Sequence, residues 1–213
     1  MDIIFDPSLV LYLPLYKLDG ASFRSGDARG HLCTVTGTVW THHGGNFDGV
    51  DDKVNIAQSS VLNPDAITIL AWIKSDLIPA SDCEVIEGRS GGGNYRLFVL
   101  YSSGKIACYL SGLSSSGWHM GNTVLAAETY YHAAFTYSSS TGKVNMYVNG
   151  LLDHTVTTTG SLATISADDY VGWQAGESNR AFDGTIAEVV MYNRDLGALE
   201  VQNSYYATKW RYQ

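Results

Sequence analysis

The stretch that decides the fold is Asn179-Arg-Ala-Phe-Asp-Gly-Thr-Ile-Ala-Glu-Val-Val-Met-Tyr-Asn-Arg-Asp-Leu196. Its first part predicts a loop and a turn at Asp183-Gly184, because aspartate followed by glycine favours tight turns. The β-branched and aromatic residues of Thr185–Tyr192 then predict a strand. Asp195 is a suitable cap for a short terminal helix from about Leu196 to Tyr205, which we expect to be the only helix of the chain.

Period-two alternation recurs along the rest of the chain, as strands with one buried face require. Asn149-Gly150 adds a strong two-residue hairpin signal. With 14 tyrosines and five tryptophans, the pattern favours one all-β domain over residues 1–213, built from two packed antiparallel sheets. The side chains predicted to share a face are, strand by strand, Leu9, Leu11, Leu13 and Leu15; Ile67, Ile69, Ala71 and Ile73; Tyr95, Leu97, Val99 and Tyr101; Ile106, Cys108 and Leu110; Tyr131, Ala133, Phe135 and Tyr137; and Val144, Met146 and Val148.

The charge and cysteine content of the chain narrow the partners it can have. The formal net charge is −8 and no basic stripe is present, so nucleic acid is not an expected partner. No apolar run approaches the roughly 18 residues of a membrane span, and we expect no membrane insertion. Cys33, Cys83 and Cys108 lack metal or redox spacing and are expected as buried free thiols.

Six segments, taken in order, are similar to those of a known family. They are Leu9–Leu15, Phe47–Asp52, Ile67–Ile73, Tyr131–Tyr137 with Gly142–Gly150, Val171-Gly172 and the closing segment quoted above. Together they resemble laminin-G-like domains of the concanavalin A-like type, although Tyr131 stands where that family usually has tryptophan. The resemblance implies a two-sheet antiparallel jelly-roll sandwich with a short C-terminal helix and with its opening and closing strands side by side. It also implies recognition as the leading function, since members mostly bind sugars and surfaces.

The amino terminus bears on where the protein is found. Residues Met1–Ser8 carry acids where a signal peptide carries basic residues, and no small-residue cleavage site follows. A domain that resembles this family is expected to be extracellular or at a cell or virion surface. We therefore expect a mature or recombinant fragment, or a protein released without classical secretion, such as a virion component.

Calcium is the cofactor that the resemblance implies, because domains of this family often bind it through loop carboxylates and backbone carbonyls. Calcium takes about six to eight oxygens, which acids from separate loops must supply together. Asp48 and Asp183 precede glycines and are expected to shape turns. A solvent-facing outer position is the simpler explanation for Glu188. The candidate ligands are Asp19, Asp27, Asp51, Asp52 and Glu188.

Two aromatic regions are candidates for a sugar site, which needs a ring against the apolar face of a pyranose and polar groups for its hydroxyls. In the first, Trp118, His119 and Asn122 lie beside serine and glycine residues, where a buried tryptophan is less expected. Trp40 and Trp72 are expected in the core instead. The candidates of the second region are Trp173, Gln174, Asn179 and Arg180.

Recognition has two rivals as the function of this chain. One is a structural or assembly protein, such as a repeating surface or virion-decoration subunit, which would form homo-oligomers or larger assemblies. The other is a glycoside hydrolase, whose retaining form needs two carboxylates about 5–5.5 Å apart. Laminarinase-type relatives carry theirs as Glu-x-Asp-x-x-Glu on one strand, and this chain has no such motif. Glu84 and Glu87 have the wrong spacing, because residues three apart on a strand point to opposite faces.

We therefore predict a non-catalytic recognition module for carbohydrate binding or surface adhesion, with possible calcium support. The expected partner is a glycan or a glycosylated surface. Binding through one or two exposed aromatic residues is expected to be weak at a single site and to depend on multivalency.

Overall fold

Two antiparallel sheets form a sandwich in the computed structural model, which describes residues 6–18, 20–90, 94–115, 117–174 and 180–212. Sheet A runs in the order β14 (Leu151–Thr157), β13 (Lys143–Val148), β12 (Tyr131–Ser138), β7 (Ala66–Ser75), β16 (Asp183–Tyr192), β5 (Gly44–Asp48) and β4 (Val39–Thr41), and β1 (Leu9–Pro14) also pairs with β16. Sheet B runs in the order β11 (Trp118–Val124), β10 (Lys105–Leu110), β9 (Asn94–Leu100), β8 (Cys83–Ser90), β15 (Asp169–Val171), β6 (Lys53–Ile56), β3 (Leu32–Thr36) and β2 (Ser22–Arg24). The predicted sandwich of two antiparallel sheets is confirmed, and its opening and closing strands are neighbours.

The core between the sheets is built from alternating side chains that the sequence identified. Cys33, Cys83 and Cys108 are buried in it as free thiols, as predicted. Asn149 and Gly150 both have positive φ (51° and 75°) and connect β13 to β14, which confirms the hairpin turn. The predicted sets that lie in this core include Ile67, Ile69, Ala71 and Ile73; Ile106, Cys108 and Leu110; Ala133, Phe135 and Tyr137; and Val144, Met146 and Val148.

A β-bulge in β1 moves one residue from its predicted face. The register between β1 and β16 shifts between Leu9 and Leu11, so Val10 and Leu11 both face the core. Leu9 lies instead with Tyr12 on the outer face of sheet A. The prediction that Leu9 shares the face of Leu11 is therefore wrong.

The turn predicted at Asp183-Gly184 is also wrong, because both residues belong to β16. Asp183 pairs with Asp48 of β5, and Gly184 lies between β5 and β7. The φ of Gly184 is 132°, and a Cβ at this position would collide with the carbonyl oxygen of Lys74. The glycine therefore permits a close approach of β16 to β7 inside the sheet.

The terminal helix α1 spans Ala198–Thr208 and is followed by a 3-10 turn at Lys209–Arg211. Gly197, rather than the predicted Asp195, is the residue that precedes its first turn. The Glu200 carboxylate accepts a hydrogen bond from the Gly197 N–H at 2.8 Å and so satisfies a backbone donor at the helix start. The helix consequently begins later and ends later than the sequence predicted.

Helix α1 covers the outer face of sheet A, so the middle of this sheet is buried on both sides. Val201 of the helix packs in a cluster with Leu70, Tyr147 and Val190 of the sheet. Trp72 is buried as predicted, but under the helix rather than between the sheets, and its indole N–H donates to the Thr208 hydroxyl at 2.8 Å. Trp40 is partly buried against the core between the sheets. Within the described ranges, no helix is long and apolar enough to cross a membrane.

Glu188 lies on this covered face and is only 3% exposed, so the expectation of a solvent-facing position is wrong. The C-terminal segment explains the difference, because Tyr212 packs on Trp72 beside it and Arg211 follows helix α1. Burial raises the pKa of Glu188 to about 7, against a smaller lowering effect of the Arg211 charge. The Arg211 Nη1 is 3.9 Å from a Glu188 carboxylate oxygen.

We predict that Glu188 makes the stability of the protein fall as the pH rises. Its pKa of about 7 in the folded state exceeds its ordinary value of 4.5, so the folded protein holds the proton more tightly. The contribution of Glu188 to the free energy of unfolding is then largest below pH 4.5 and decreases by up to about 3 kcal/mol as the pH rises through about 7. Glu188→Gln should remove this decrease in urea unfolding between pH 5 and pH 8, whereas the exposed control Asp65→Asn should keep it. Identical pH slopes for wild type and Glu188→Gln would contradict the assignment.

Candidate functional site

A groove of about 470 Å³ runs between the edge strands of the two sheets, β11 of sheet B and β14 of sheet A. Ligand sites in proteins commonly have volumes of about 300–1,000 Å³, so this groove is large enough for a small ligand. Its lining combines one large aromatic ring with several polar groups. The lining residues are Lys105, Ser115, Gly117, Trp118, His119, Met120, Gly121, Asn122, His154 and Val156.

Two sets of hydrogen bonds hold the edge strands together at the ends of this groove. At one end, the Asp153 carboxylate accepts hydrogen bonds from the Asn122 N–H (2.6 Å) and from the Thr123 N–H and hydroxyl (3.1 and 2.6 Å). At the other end, the Ser114 N–H donates to the Thr159 carbonyl at 2.6 Å. The walls of the groove are therefore fixed by bonds between the sheets, and we expect little rearrangement on binding.

Trp118 is half-buried at the groove and is held by two other aromatic rings. Its ring lies 5.5 Å from that of Tyr101 and 5.6 Å from that of Tyr109, both in edge-to-face geometry. Trp118 packs with Val99 and Ala107 on the outer face of sheet B. Val99 and Tyr101 thus share a face as predicted, and it is the face that bears Trp118. These contacts fix the orientation of the indole while part of it stays accessible.

Two buried polar atoms, each on a residue that lines the groove, have no hydrogen-bond partner in the described part of the chain. They are the Nε2 of His119, whose side chain is 4% exposed, and the hydroxyl of Ser115. Burial lowers the pKa of His119 below its ordinary value of 6.5, so its imidazole is neutral at physiological pH. Buried polar atoms usually have partners, so these two unpaired atoms are unusual.

Asn122 and His154 add a defined pattern of donors to the same groove. The Asn122 side-chain amide donates to the Asp153 carbonyl at 2.8 Å and lies 3.4 Å from the Nδ1 of His154. Because the amide N–H is the donor in this contact, Nδ1 of His154 accepts, and Nε2 of a neutral His154 carries the proton. The structure thus brings Trp118, His119 and Asn122, the first predicted region, together at one groove.

The second predicted region lies elsewhere on sheet B, beyond β15. The ring of Trp173 contacts that of Tyr170 at 5.3 Å, and the Lys53 ammonium lies 4.2 Å from the Trp173 ring. Gln174 is buried, and Arg180 pairs with Asp82 at 3.6 Å. Three strands separate β15 from β11, a distance of about 19 Å at the usual strand spacing. The two regions therefore lie apart on sheet B, and Asn179 lies outside the described residues.

Glu84 and Glu87 of β8 point to the same face of sheet B, so the prediction that they point to opposite faces is wrong. Glu84 pairs with Val99 and Glu87 with Leu97, and a bulge between them takes up the odd residue. The intervening pair, Val85 and Ile86, both turn into the core. Two adjacent apolar residues between acids are the one sequence signal that could have indicated this bulge.

Both glutamates are 0% exposed, which is unusual for carboxylates. Neither carboxylate oxygen of Glu84 has a hydrogen-bond partner among the described residues. Burial raises the pKa of Glu84 well above its ordinary value, and the nearby charge of Glu87 raises it further, while Arg180 opposes both. Glu84 therefore binds a proton more readily than an ordinary glutamate, and the burial of this pair is a feature that sequence reasoning missed.

Three carboxylates cluster in the loop between β5 and β6. Ligand atoms of Asp48, Asp51 and Asp52 all lie within 4.8 Å of one another, the one such group of three or more in the described residues. Burial raises the pKa of Asp52, and the charges of Asp48 and then Asp51 add to this effect. Three carboxylates can supply up to six oxygens, so this set fits part of a calcium shell. Asp48 also accepts a hydrogen bond from the Val50 N–H at 2.9 Å, in agreement with its predicted role in the turn.

The other predicted metal ligands lie apart from this cluster. The Asp27 carboxylate accepts hydrogen bonds from the Tyr12 N–H (3.0 Å) and the Arg29 N–H (2.8 Å), and so fixes a loop against β1. Glu188 lies under helix α1, where Arg211 is its nearest cation, and Asp19 falls outside the described residues. The structure thus brings Asp51 and Asp52 together, joined by Asp48, and does not bring Asp27 or Glu188 to them.

Comparison with known proteins supports the fold that the geometry displays. A sequence profile of the concanavalin A-like lectin/glucanases superfamily matches residues 48–202. A Trypanosoma rangeli sialidase in complex with sialic acid is structurally similar, with a TM-score of 0.75 and 17% identity over 98% of this chain and 34% of the sialidase chain. The receptor binding domain of botulinum neurotoxin C/D mosaic serotype has a TM-score of 0.72 and 12% identity over 94% of this chain and 51% of its own.

These similarities are informative about the fold alone. The binding domain of botulinum neurotoxin serotype G, with a TM-score of 0.69 and 14% identity, is equally remote in sequence. The chain spans 34% of the sialidase chain and 51% of the toxin chains it resembles. Among curated proteins, no sequence matches the chain significantly.

We predict that the Asp48, Asp51 and Asp52 cluster responds to calcium. A cation there would relieve the repulsion between the carboxylates, so calcium at about 100 times its dissociation constant should stabilise the protein by about 2.7 kcal/mol. The melting temperature should rise with calcium and return with a chelator. Asp51→Asn should remove the response, and the exposed control Asp65→Asn should retain it. A melting temperature that calcium does not change would contradict the prediction.

Proposed function

The chain belongs to the concanavalin A-like lectin/glucanases superfamily, and from this premise we propose that it is a non-catalytic recognition module that binds a carbohydrate in the groove between β11 and β14. The observation that carries the proposal is that half-buried Trp118 lines the same groove as His119 and Ser115, each of which has a polar atom without a partner in the described residues. An unpaired buried donor or acceptor costs about 1–3 kcal/mol, which a ligand hydroxyl would relieve.

Each lining group has a role that suits a sugar. The exposed part of the Trp118 indole provides a flat apolar surface for the carbon-bound hydrogens of a pyranose ring. Asn122 and His154 provide directional hydrogen-bonding groups at one end of the groove, and Ser115 provides a hydroxyl at the other. Sugar hydroxyls both donate and accept, so they match this mixed lining better than a purely apolar ligand would.

The protein is proposed to act on the outside of a cell or on another glycosylated surface. A single groove with one aromatic platform gives weak binding, so function would depend on several copies acting together. The similar structures support this proposal only in general terms: one is a sialidase in complex with sialic acid, and another is a receptor binding domain. Calcium would bind in the loop between β5 and β6, far along both sheets from β11 and β14, and would support stability rather than contact the sugar.

We predict that Trp118→Ala lowers carbohydrate binding at least tenfold, because it removes the apolar surface on which the sugar ring would stack. Stacking of a ring on an aromatic side chain contributes about 1–3 kcal/mol to binding in the comparable case of nucleic-acid bases. A glycan array followed by calorimetry on the best binder measures this effect. Trp210→Ala is the matched control, since Trp210 is 68% exposed on the 3-10 turn after α1 and does not line the groove.

Binding in the same experiment should survive a calcium chelator, because no residue of the Asp48, Asp51 and Asp52 cluster lines the groove. Equal loss of binding in the Trp118 and Trp210 variants would indicate a general defect. Full binding by Trp118→Ala would refute the groove as the site.

Glycoside hydrolysis is the second candidate function, and one observation favours it. The bulge in β8 places two carboxylates on one face of a strand, and Glu84 has the raised pKa that a general acid needs. Tyr170 pairs with Glu87 across the sheet, which adds an aromatic ring next to the pair. Recognition is favoured over this candidate, because both carboxylates are 0% exposed and a glycosidic oxygen must touch the acid.

Substitution of the two acids distinguishes these functions. We predict that the wild-type protein releases no reducing sugar from a polysaccharide panel, and that Glu84→Gln and Glu87→Gln bind glycans as the wild type does. The Glu84→Gln variant should be as stable as the wild type or more so, since a neutral amide replaces a buried ionisable group without a partner in the described residues. Sugar release that disappears in both variants but persists in Trp118→Ala would establish the hydrolase instead.

A further inference from the structure

The groove between β11 and β14 carries a positive charge, although the protein as a whole is acidic. The whole chain has 21 aspartates and glutamates against 13 lysines and arginines. The lining of the groove nevertheless includes the cation Lys105 and contains no aspartate or glutamate among the described residues. The positive charge of the groove attracts an anionic ligand, whereas it adds no such attraction for a neutral ligand.

Lys105 is the cation of the groove, and it is not committed to another group. It is the first residue of β10, and its backbone pairs with Val124 at the far end of β11. Lys105 forms no ion pair with any residue in the described ranges. By comparison, Lys74 is 3.2 Å from Asp76 and 2.7 Å from Glu128. The Lys105 ammonium thus retains hydrogen-bond donors for a ligand.

One carboxylate, Asp153, is bonded to the wall of the groove. Its two oxygens accept from the backbone N–H groups of Asn122 and Thr123 and from the Thr123 hydroxyl. It does not line the groove. Asp153 therefore positions Asn122, and it forms no ion pair with Lys105.

The remaining polar groups are biased toward donors. Nδ1 of His154 accepts from Asn122, so its Nε2 carries a proton, and the Ser115 hydroxyl has no partner among the described residues. An anionic oxygen only accepts hydrogen bonds, and charge-assisted bonds are roughly twice as strong as neutral ones. From this lining we infer that the groove selects a saccharide that carries an anionic group, a carboxylate or a sulfate, over its neutral counterpart. The inference rests on the proposed function and names the ligand class of that site.

The test uses pairs of oligosaccharides that differ only in charge. A glycan array would present uronic acid oligomers with their methyl esters, and sulfated oligomers with their desulfated forms. Calorimetry on the best pair would then compare wild type, Lys105→Gln, Trp118→Ala and Lys17→Gln at about 50 and 300 mM NaCl, a change that shortens the range of charge interactions. Lys17 is the matched control, because it is exposed on the segment after β1 and does not line the groove.

We expect the anionic member of the pair to bind about tenfold more tightly than the neutral one, and the difference to shrink at the higher salt concentration. Lys105→Gln should abolish the preference while neutral binding persists, and Lys17→Gln should leave it unchanged. Equal affinity for both members, or a preference that survives Lys105→Gln, would overturn the inference and leave the groove as a neutral sugar site. Trp118→Ala tests the groove as the binding site separately from its preference for anionic sugars. Loss of binding to both members of the pair supports the groove. Unchanged binding by this variant, or no binding of the wild type to any pair, overturns the proposed function together with the inference.

Discussion

The burial of strand β16 on both faces is the constraint on which the rest of the structure depends. Nine of its ten residues are buried, and it pairs with β7, β5 and β1. Sheet B covers the inner face, and helix α1 covers the outer face through Val201 and the Trp72–Thr208 hydrogen bond. The edge strands β14 and β11 of the two sheets lie next to each other, joined by the hydrogen bonds of Asp153. The groove that we propose as the binding site is the space between those edges.

The alternating patterns predict most of the fold because they reflect local geometry that the tertiary structure respects. Ile67, Ile69, Ala71 and Ile73 face the core as period two requires, and Asn149-Gly150 forms its hairpin. The pattern fails where a bulge shifts the register, as between Leu9 and Leu11. A bulge depends on the partner strand, so a single sequence does not determine its position.

The sequence predicts some of the residues that line the candidate groove, but not those that other strands contribute. Trp118 could be predicted, because core packing does not readily explain a tryptophan among serines and glycines. Its neighbours His119 and Asn122 line the same groove. Lys105 and His154 come from other strands, and only the pairing of β10 with β11 and the approach of β14 bring them there. The period-two rule predicts opposite faces for Glu84 and Glu87, which a bulge places on the same face. The prediction that Glu188 faces solvent assumes that the outer face of the sheet is exposed, and this face is buried. In each case a distant segment supplied the environment.

The central claim is that the groove between β11 and β14 is where this domain meets its ligand. Chemical-shift mapping by NMR with a bound anionic oligosaccharide tests it most directly. We expect the largest shifts at the Trp118 indole N–H, the Asn122 side-chain amide and the backbone of the lining residues Ser115, 117–122, His154 and Val156. Shifts that cluster at Trp173, Glu84 and Glu87, with the groove unaffected, would contradict the claim and place the ligand on the other region of sheet B.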